Sequence, residues 1–340
     1  MTAVPDRVSI DLPLSASAAS QRRSGPRPDT EGDQKTLSRR LLVGIFVSVP
    51  TLALAAAIPL AWGWALGWHD LLIGLVFYVV TGLGVTVGYH RYFTHSSFKA
   101  KKGLRAALAI AGSMSLEGSV LDWVATHRRH HKYSDREGDP HSPWRYGNNW
   151  AALAKGLAYA HVLWLFDSDS TSREKFCPDL LADKNLRRID KAFPLLVAAS
   201  LLLPAVLGGL WGMSWHGALT AFVWAGLVRI GLLNHVTWSI NSICHTFGVE
   251  EFSVRDKSRN VNWLAIPSFG ESWHNLHHAD PTCARHGALR GQIDASARVI
   301  RWFEWLGWAD DVRWPDKDRL GAKRTPGGAR PLGSMGRSWN

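Results

Sequence analysis

Four long apolar stretches constrain this chain more than any other feature of its sequence. Residues 41–66, 71–89, 193–213 and 217–240 carry few or no charges. Each is near the roughly 20 residues that cross a bilayer as a helix. Only helices or closed barrels satisfy their own backbone in hydrocarbon, so runs of this length predict four spanning helices. Arg229 interrupts the last run; a cation there is costly unless it lies near an end or inside the protein. The first run does not read as a signal peptide, since it follows forty polar residues and no small-residue cleavage site comes after a short core.

Four spans put both termini and the long middle segment on one side of the membrane, and the charges say which. The net charge is +11, which on its own would also suit a nucleic-acid binder, but the distribution follows topology. Of 39 Lys and Arg, 7 fall in residues 1–40, 17 in 90–192 and 14 after 241, while the connections 67–70 and 211–217 contain none. The positive-inside rule then makes the termini and the middle segment cytoplasmic. Secondarily, the basic face would attract anionic headgroups or substrates. The three cysteines, Cys177, Cys244 and Cys283, have no CxxC spacing and suggest neither disulfides nor a cysteine-held metal. The expected architecture is an all-α integral membrane protein, its four helices in two hairpins, with a helical cytoplasmic cap. Residues 1–36 and 316–340 are polar and aperiodic and are expected to be disordered tails around a single domain, 37–315. The run 103–123, broken by Glu117 and Asp122, reads as an interfacial or buried helix rather than a fifth span. Residues 150–166 read as a segment that can rest in the headgroup layer, and 298–308 is amphipathic and rich in Trp.

Fifteen histidines are unevenly placed. The stretch VATHRRHHKYSDREGDPH, 124–141, holds His127, His130 and His131, and HNLHH holds His274, His277 and His278 with the same spacing. Positions i, i+3 and i+4 share one helical face, so each trio is expected to converge on one point, as a metal requires. HRYFTH adds His90 and His95 where the second span ends. NHVTWSINSICH adds Asn241 and His245 just past the fourth. Nine imidazoles exceed what one metal takes and suit two, with four or five ligands each. Zinc, copper, nickel and iron all accept such donors. With no HExxH, and with an all-nitrogen pair against a membrane, iron and O2 chemistry is the better match. His141 and His161 read as hydrogen-bonded neighbours, His69 and His216 lie in the opposite connections, and neither His235 nor His286 has a partner in a box. GLGVTVG, 82–88, lacks a preceding strand and reads as helix packing, not nucleotide binding.

The order HxxxxH, HxxHH, HxxHH, with two span pairs around them, resembles the membrane-bound fatty acid desaturases. GYHRYFTHSSFK, LDWVATHRRHHKYSDREGDPHSP, NHVTWSINSICHTFG and SRNVNWLAIPSFGESWHNLHH carry a closer resemblance to the acyl-CoA Δ9, or stearoyl-CoA, type over roughly residues 40–310. The resemblance implies two iron ions (Fe2+/Fe3+) held by His90, His95, His127, His130, His131, His245, His274, His277 and His278, with Asn241 reaching one iron through water. It also implies a substrate tunnel lined by Trp123, Thr237 and Trp238, and O2 as co-substrate. An unactivated methylene has no acidic proton, so acid–base chemistry cannot begin the reaction and a metal-derived oxidant must take a hydrogen atom. No cytochrome b5, flavin or nicotinamide motif is present, so a separate ferredoxin-like protein or flavoprotein reductase is implied as electron donor, alongside long-chain acyl-CoA and membrane lipid as partners and no nucleic acid. An acyl-lipid or carrier-protein desaturase and a related di-iron hydroxylase are the neighbouring readings. A metal transporter would need ionisable groups deep within the spans.

Overall fold

The computed structural model describes residues 28–33, 36–61 and 66–325. The chain is mostly helical, and four helices are long and apolar enough to cross a membrane: Leu37–Pro59, Trp68–Thr94, Phe193–Gly212 and Trp215–Ser242. The second continues past the apolar run read from the sequence because His90 and Arg91 are buried against protein rather than released to water. It does so as a π-helical stretch, Gly84–Thr94, a wider turn often found at functional sites. The fourth contains a second π-helical stretch, Phe222–Val228. Arg229 is only 3% exposed; its guanidinium donates to the Ser200 carbonyl (2.9 Å) and to Ala225 O (3.0 Å), so the costly cation does lie in the protein interior.

The glycines of 82–88 serve packing, as expected. A Cβ on Gly84 would sit 2.2 Å from the Gly112 backbone, and one on Gly112 would meet the Tyr89 ring at 2.5 Å. This close approach seats the helix Lys102–Ser113 directly on the histidine-bearing end of the second span. The apolar run 103–123 is not one helix. It breaks at a turn where Leu116 (φ 66°) and Gly118 (φ 117°) take left-handed backbone conformations. Val120–Tyr133 then starts afresh after Ser119, which places Glu117 in the turn instead of on a helix face.

Trp150–His161 is capped by the Asn149 side chain, which accepts from Ala152 N–H at 2.9 Å. Ala295–Trp305 is capped by Asp294, which accepts from Ala297 N–H at 2.9 Å. Trp302, Trp305 and Trp308 along and after this helix are exposed. Most of the two terminal segments expected to be disordered, 1–27 and 326–340, lies outside the described residues. The expectation fails for the parts that are described. Thr30–Asp33 pairs with Asp169–Thr171, and Asp29 is held by Tyr133 Oη (2.9 Å) and Lys175 (2.9 Å). Lys317–Gly321 forms a helix whose Leu320 is buried beside Phe252 and Leu276. Each segment has too little apolar periodicity to be recognised alone and is ordered by one or two tertiary contacts.

Candidate metal centre

Four separate elements bring histidines to one region: the end of the second span (His90, with His95 next after it), the helix Val120–Tyr133, the turn following the fourth span (His245), and the short helix His274–Ala279. The short helix is fixed by Asn275. Its side-chain oxygen accepts from Glu251 and Phe252 N–H (2.8 and 2.7 Å), and its amide donates to Phe252 O (2.9 Å).

The nine histidines fall into two groups. The ligand-capable atoms of His90, His95, His127, His131 and His277 lie within 4.8 Å of one another, as do those of His130, His245, His274 and His278. The expectation that each HxxHH trio converges on a single point is therefore wrong. At 100° per residue, i and i+4 differ by about 40°, whereas i+3 lies about 100° from i+4. His127 and His131 accordingly share one group while His130 turns to the other. His274 and His278 share that second group, while His277 returns to the first. Each helix gives two imidazoles to one group and one to the other.

Ring nitrogens face one another across both groups. Nε2 of His277 is 3.0 Å from that of His90 and 2.9 Å from that of His131. Nε2 of His274 is 3.0 Å from those of both His245 and His278. Four rings turn their other nitrogen to a carboxylate: His130 donates to Asp139 (3.0 Å), His245 to Asp135 (2.9 Å), His278 to Asp256 (2.8 Å) and His90 to Glu271. With Nδ1 carrying the proton on His245 and His278, their Nε2 lone pairs both aim at His274, which has one N–H at most to offer. Nε2 of His95 and of His130 is buried without a hydrogen-bond partner. Converging lone pairs with carboxylate-backed imidazoles are the donor set a nitrogen-preferring cation needs. Burial, reinforced by the neighbouring imidazoles, holds His95, His127, His131, His274, His277 and His278 well below the ordinary histidine value, hence neutral and able to ligate. Burial opposes protonation of His245 too, but Asp135 outweighs it and raises that pKa.

A cavity of about 700 Å³ reaches both groups, with His90, His127 and His274 in its wall. Trp123, Thr237, Trp238 and Asn241 line it. The Trp123 ring stacks on His127, centroids 4.9 Å apart, and its indole N–H donates to Glu117 (3.1 Å). Burial pushes the Glu117 carboxyl up to about 7, against the pull of its hydrogen bonds with Thr237 and Trp123.

Several functional candidates escaped sequence reasoning. Asp135, Asp139, Asp256 and Glu271 sit among ordinary surface-like charges in the sequence, although the first two lie within the quoted stretch 124–141. Arg91, fully buried, bridges Glu271 (3.0 Å) and Asp294 (3.0 Å). His286, for which no partner was expected, packs 4.5 Å from the His277 ring. His141 lies 4.4 Å from the His130 ring, and His161 hydrogen-bonds His235 (2.9 Å) and Ser242 (3.0 Å); both are neighbours outside the two groups.

The family model for fatty acid desaturase matches residues 60–290. A hex-5-enoyl-[acyl-carrier protein] acetylenase of Moorena producens (strain JHB) is 37% identical over 309 residues, covering 88% of this chain and 96% of the relative. Delta-9 acyl-lipid desaturase 2 of Arabidopsis thaliana is 38% identical, covering 73% of this chain and 76% of its own length. An acyl-CoA 5-desaturase of Anemone leveillei is 35% identical, covering 78% and 77%.

Proposed function

The chain belongs to the fatty acid desaturase family, and on that premise we propose that it places a double bond in a long-chain fatty acyl thioester, with acyl-CoA as carrier and Δ9 as position. The observation that carries this reading is the division of nine histidines into groups of five and four beside one cavity of about 700 Å³. Each group would hold one iron: His90, His95, His127, His131 and His277 the first, His130, His245, His274 and His278 the second. Asn241, one helical turn before His245 and in the cavity wall, completes the smaller set through a water. So held, the metals would supply the one-electron oxidising chemistry that an unactivated methylene requires.

The rest of the work belongs to side chains. Asp135, Asp139, Asp256 and Glu271 fix the tautomer of the imidazoles they bond, so that Nε2 presents its lone pair inward. Trp123 and Trp238 wall the chain; the indole of Trp123 is itself held by Glu117, which fixes its plane beside His127. Thr237 and Asn241 put polar atoms on the same wall. The cavity places two adjacent carbons of the acyl chain beside both histidine groups.

The spans form two hairpins with the termini, the metal centre and the cap, residues 37–315 as one domain, on the cytoplasmic side. Electrons come from a separate ferredoxin-like protein or flavoprotein reductase. The basic charge of the cytoplasmic segments suits the phosphates of CoA; in the cavity wall Arg39, Arg129 and Arg145 stand beside Asp122, Asp167 and Asp169, and these three guanidiniums are where we place the CoA phosphates. The named relatives differ on this point, acting on carrier-protein, lipid-linked and CoA-linked chains respectively. The test is mass spectrometry of products from the reconstituted protein given O2, electrons and stearoyl groups on CoA, on phospholipid and on acyl carrier protein in parallel. A Δ9 mono-unsaturated product from the CoA ester alone supports the proposal. Product only from lipid or carrier protein overturns the carrier, and a hydroxylated product overturns the reaction.

A further inference from the structure

The two histidine groups differ most in what stands behind them. Three of the four imidazoles in the smaller group are backed by a carboxylate of their own: His130 by Asp139, His245 by Asp135, His278 by Asp256. The remaining capacity of these carboxylates goes to neutral donors. Asp139 accepts from Asp135 and His141 N–H (2.8 and 3.0 Å), Asp135 from Lys257 N–H and Ser142 Oγ (both 2.9 Å), and Asp256 from Ser258 N–H (3.0 Å). Among the described residues no guanidinium or ammonium pairs with any of the three. Of the five-histidine group, only His90 donates to a carboxylate among the described residues, Glu271, and that carboxylate is spent largely on a cation. Arg91 donates to Glu271 Oε1 through both Nε (3.2 Å) and Nη2 (3.0 Å).

We propose that the two sites are electrically unequal, an iron in the four-histidine site being the more easily oxidised because Asp135, Asp139 and Asp256 act on it as positioning residues that lend negative charge through its imidazoles. The inference rests on the two-iron reading. Charge in a buried, weakly screened site acts over several ångströms, and a carboxylate behind a ligating imidazole raises its basicity. Net charge and hydrogen bonding to the ligands are the levers by which a protein sets an iron potential. The fifth imidazole of the other site is a neutral donor and does not offset three anions against one neutralised one. On oxidation each site gives up one electron, Fe2+ to Fe3+, to the acceptor supplied.

The test uses full-length protein loaded with iron-57, reduced anaerobically, then oxidised with ferricyanide one electron per chain at a time and followed by Mössbauer spectroscopy. The first equivalent should convert one of the two ferrous signals in preference to the other by about tenfold or more. Asp256→Asn keeps an oxygen to accept from His278 but removes the charge, and should reduce that preference about tenfold. Glu271→Gln should leave it intact or sharpen it. Asp135→Asn carries the same test if Asp256→Asn does not fold. Parallel growth of two ferric signals in the unsubstituted protein, or collapse of the preference in Glu271→Gln but not in the aspartate variants, overturns the inference. Iron content before oxidation separates the two failures: fewer than two irons per fully loaded chain fails the two-iron reading and this inference with it, whereas two irons oxidised in parallel fail this inference alone.

Discussion

Asn241 and Glu117 show how much a single position in this cavity can carry. Asn241 was legible from its spacing to His245, and it lines the cavity four residues before that histidine. If its amide holds a water on the four-histidine iron, Asn241→Leu should fold and keep most of its iron while turnover falls on the order of 10–100-fold, the usual cost of losing an outer partner. Reduced oxygen should leak as peroxide, measurable by a coupled peroxidase assay. Loss of iron in step with activity would instead make Asn241 a structural residue. Glu117 was read only as a break in an apolar run, because its burial depends on a turn whose left-handed residues no periodicity reveals. With its folded pKa about 7 against 4.5 in the open chain, the folded state binds this proton more tightly. Its contribution to stability is thus full at low pH and is lost as pH rises through about 7. Melting temperature in detergent should fall for the wild type relative to Glu117→Gln between about pH 5 and about pH 8. Equal curves for the two proteins would contradict the neutral buried acid. The carboxylates behind the imidazoles were missed because an Asp that will be buried looks, in sequence, like one that will be solvated.

At the level of elements, the HxxHH helices were recognisable and their division was not. The spacing places three imidazoles on one side of a helix, but whether they serve one centre or two depends on the facing helix, and here the second box is offset against the first. His130 and His131 are adjacent in sequence yet belong to different groups. His131→Ala and His130→Ala should therefore each abolish turnover but strip different irons, leaving spectroscopically distinct one-iron proteins. Identical residual spectra would contradict the partition. The four spans were legible from apolar length alone. Their polar extensions were not, because Arg91 and His90 continue a helix only where Glu271 and Asp294 arrive from distant sequence to meet them.

For the whole molecule, four helices long and apolar enough to cross a bilayer make it a membrane protein, and the charge distribution is the ground on which we propose that its chemistry lies on the basic side. A reporter fused at either terminus or inserted near Arg173 should score cytoplasmic, and reporters near Trp68 and Ser214 external; a loop and termini on opposite faces would separate the histidine boxes and break the account. Cys177, Cys244 and Cys283 are free and buried. The central claim is that nine histidines hold two irons. Its most direct test is the metal content of natively loaded, fully active protein, measured by plasma mass spectrometry against amino-acid analysis of the same sample. The account predicts close to two irons per chain. Full activity with a single iron, or with zinc in place of iron, would contradict it.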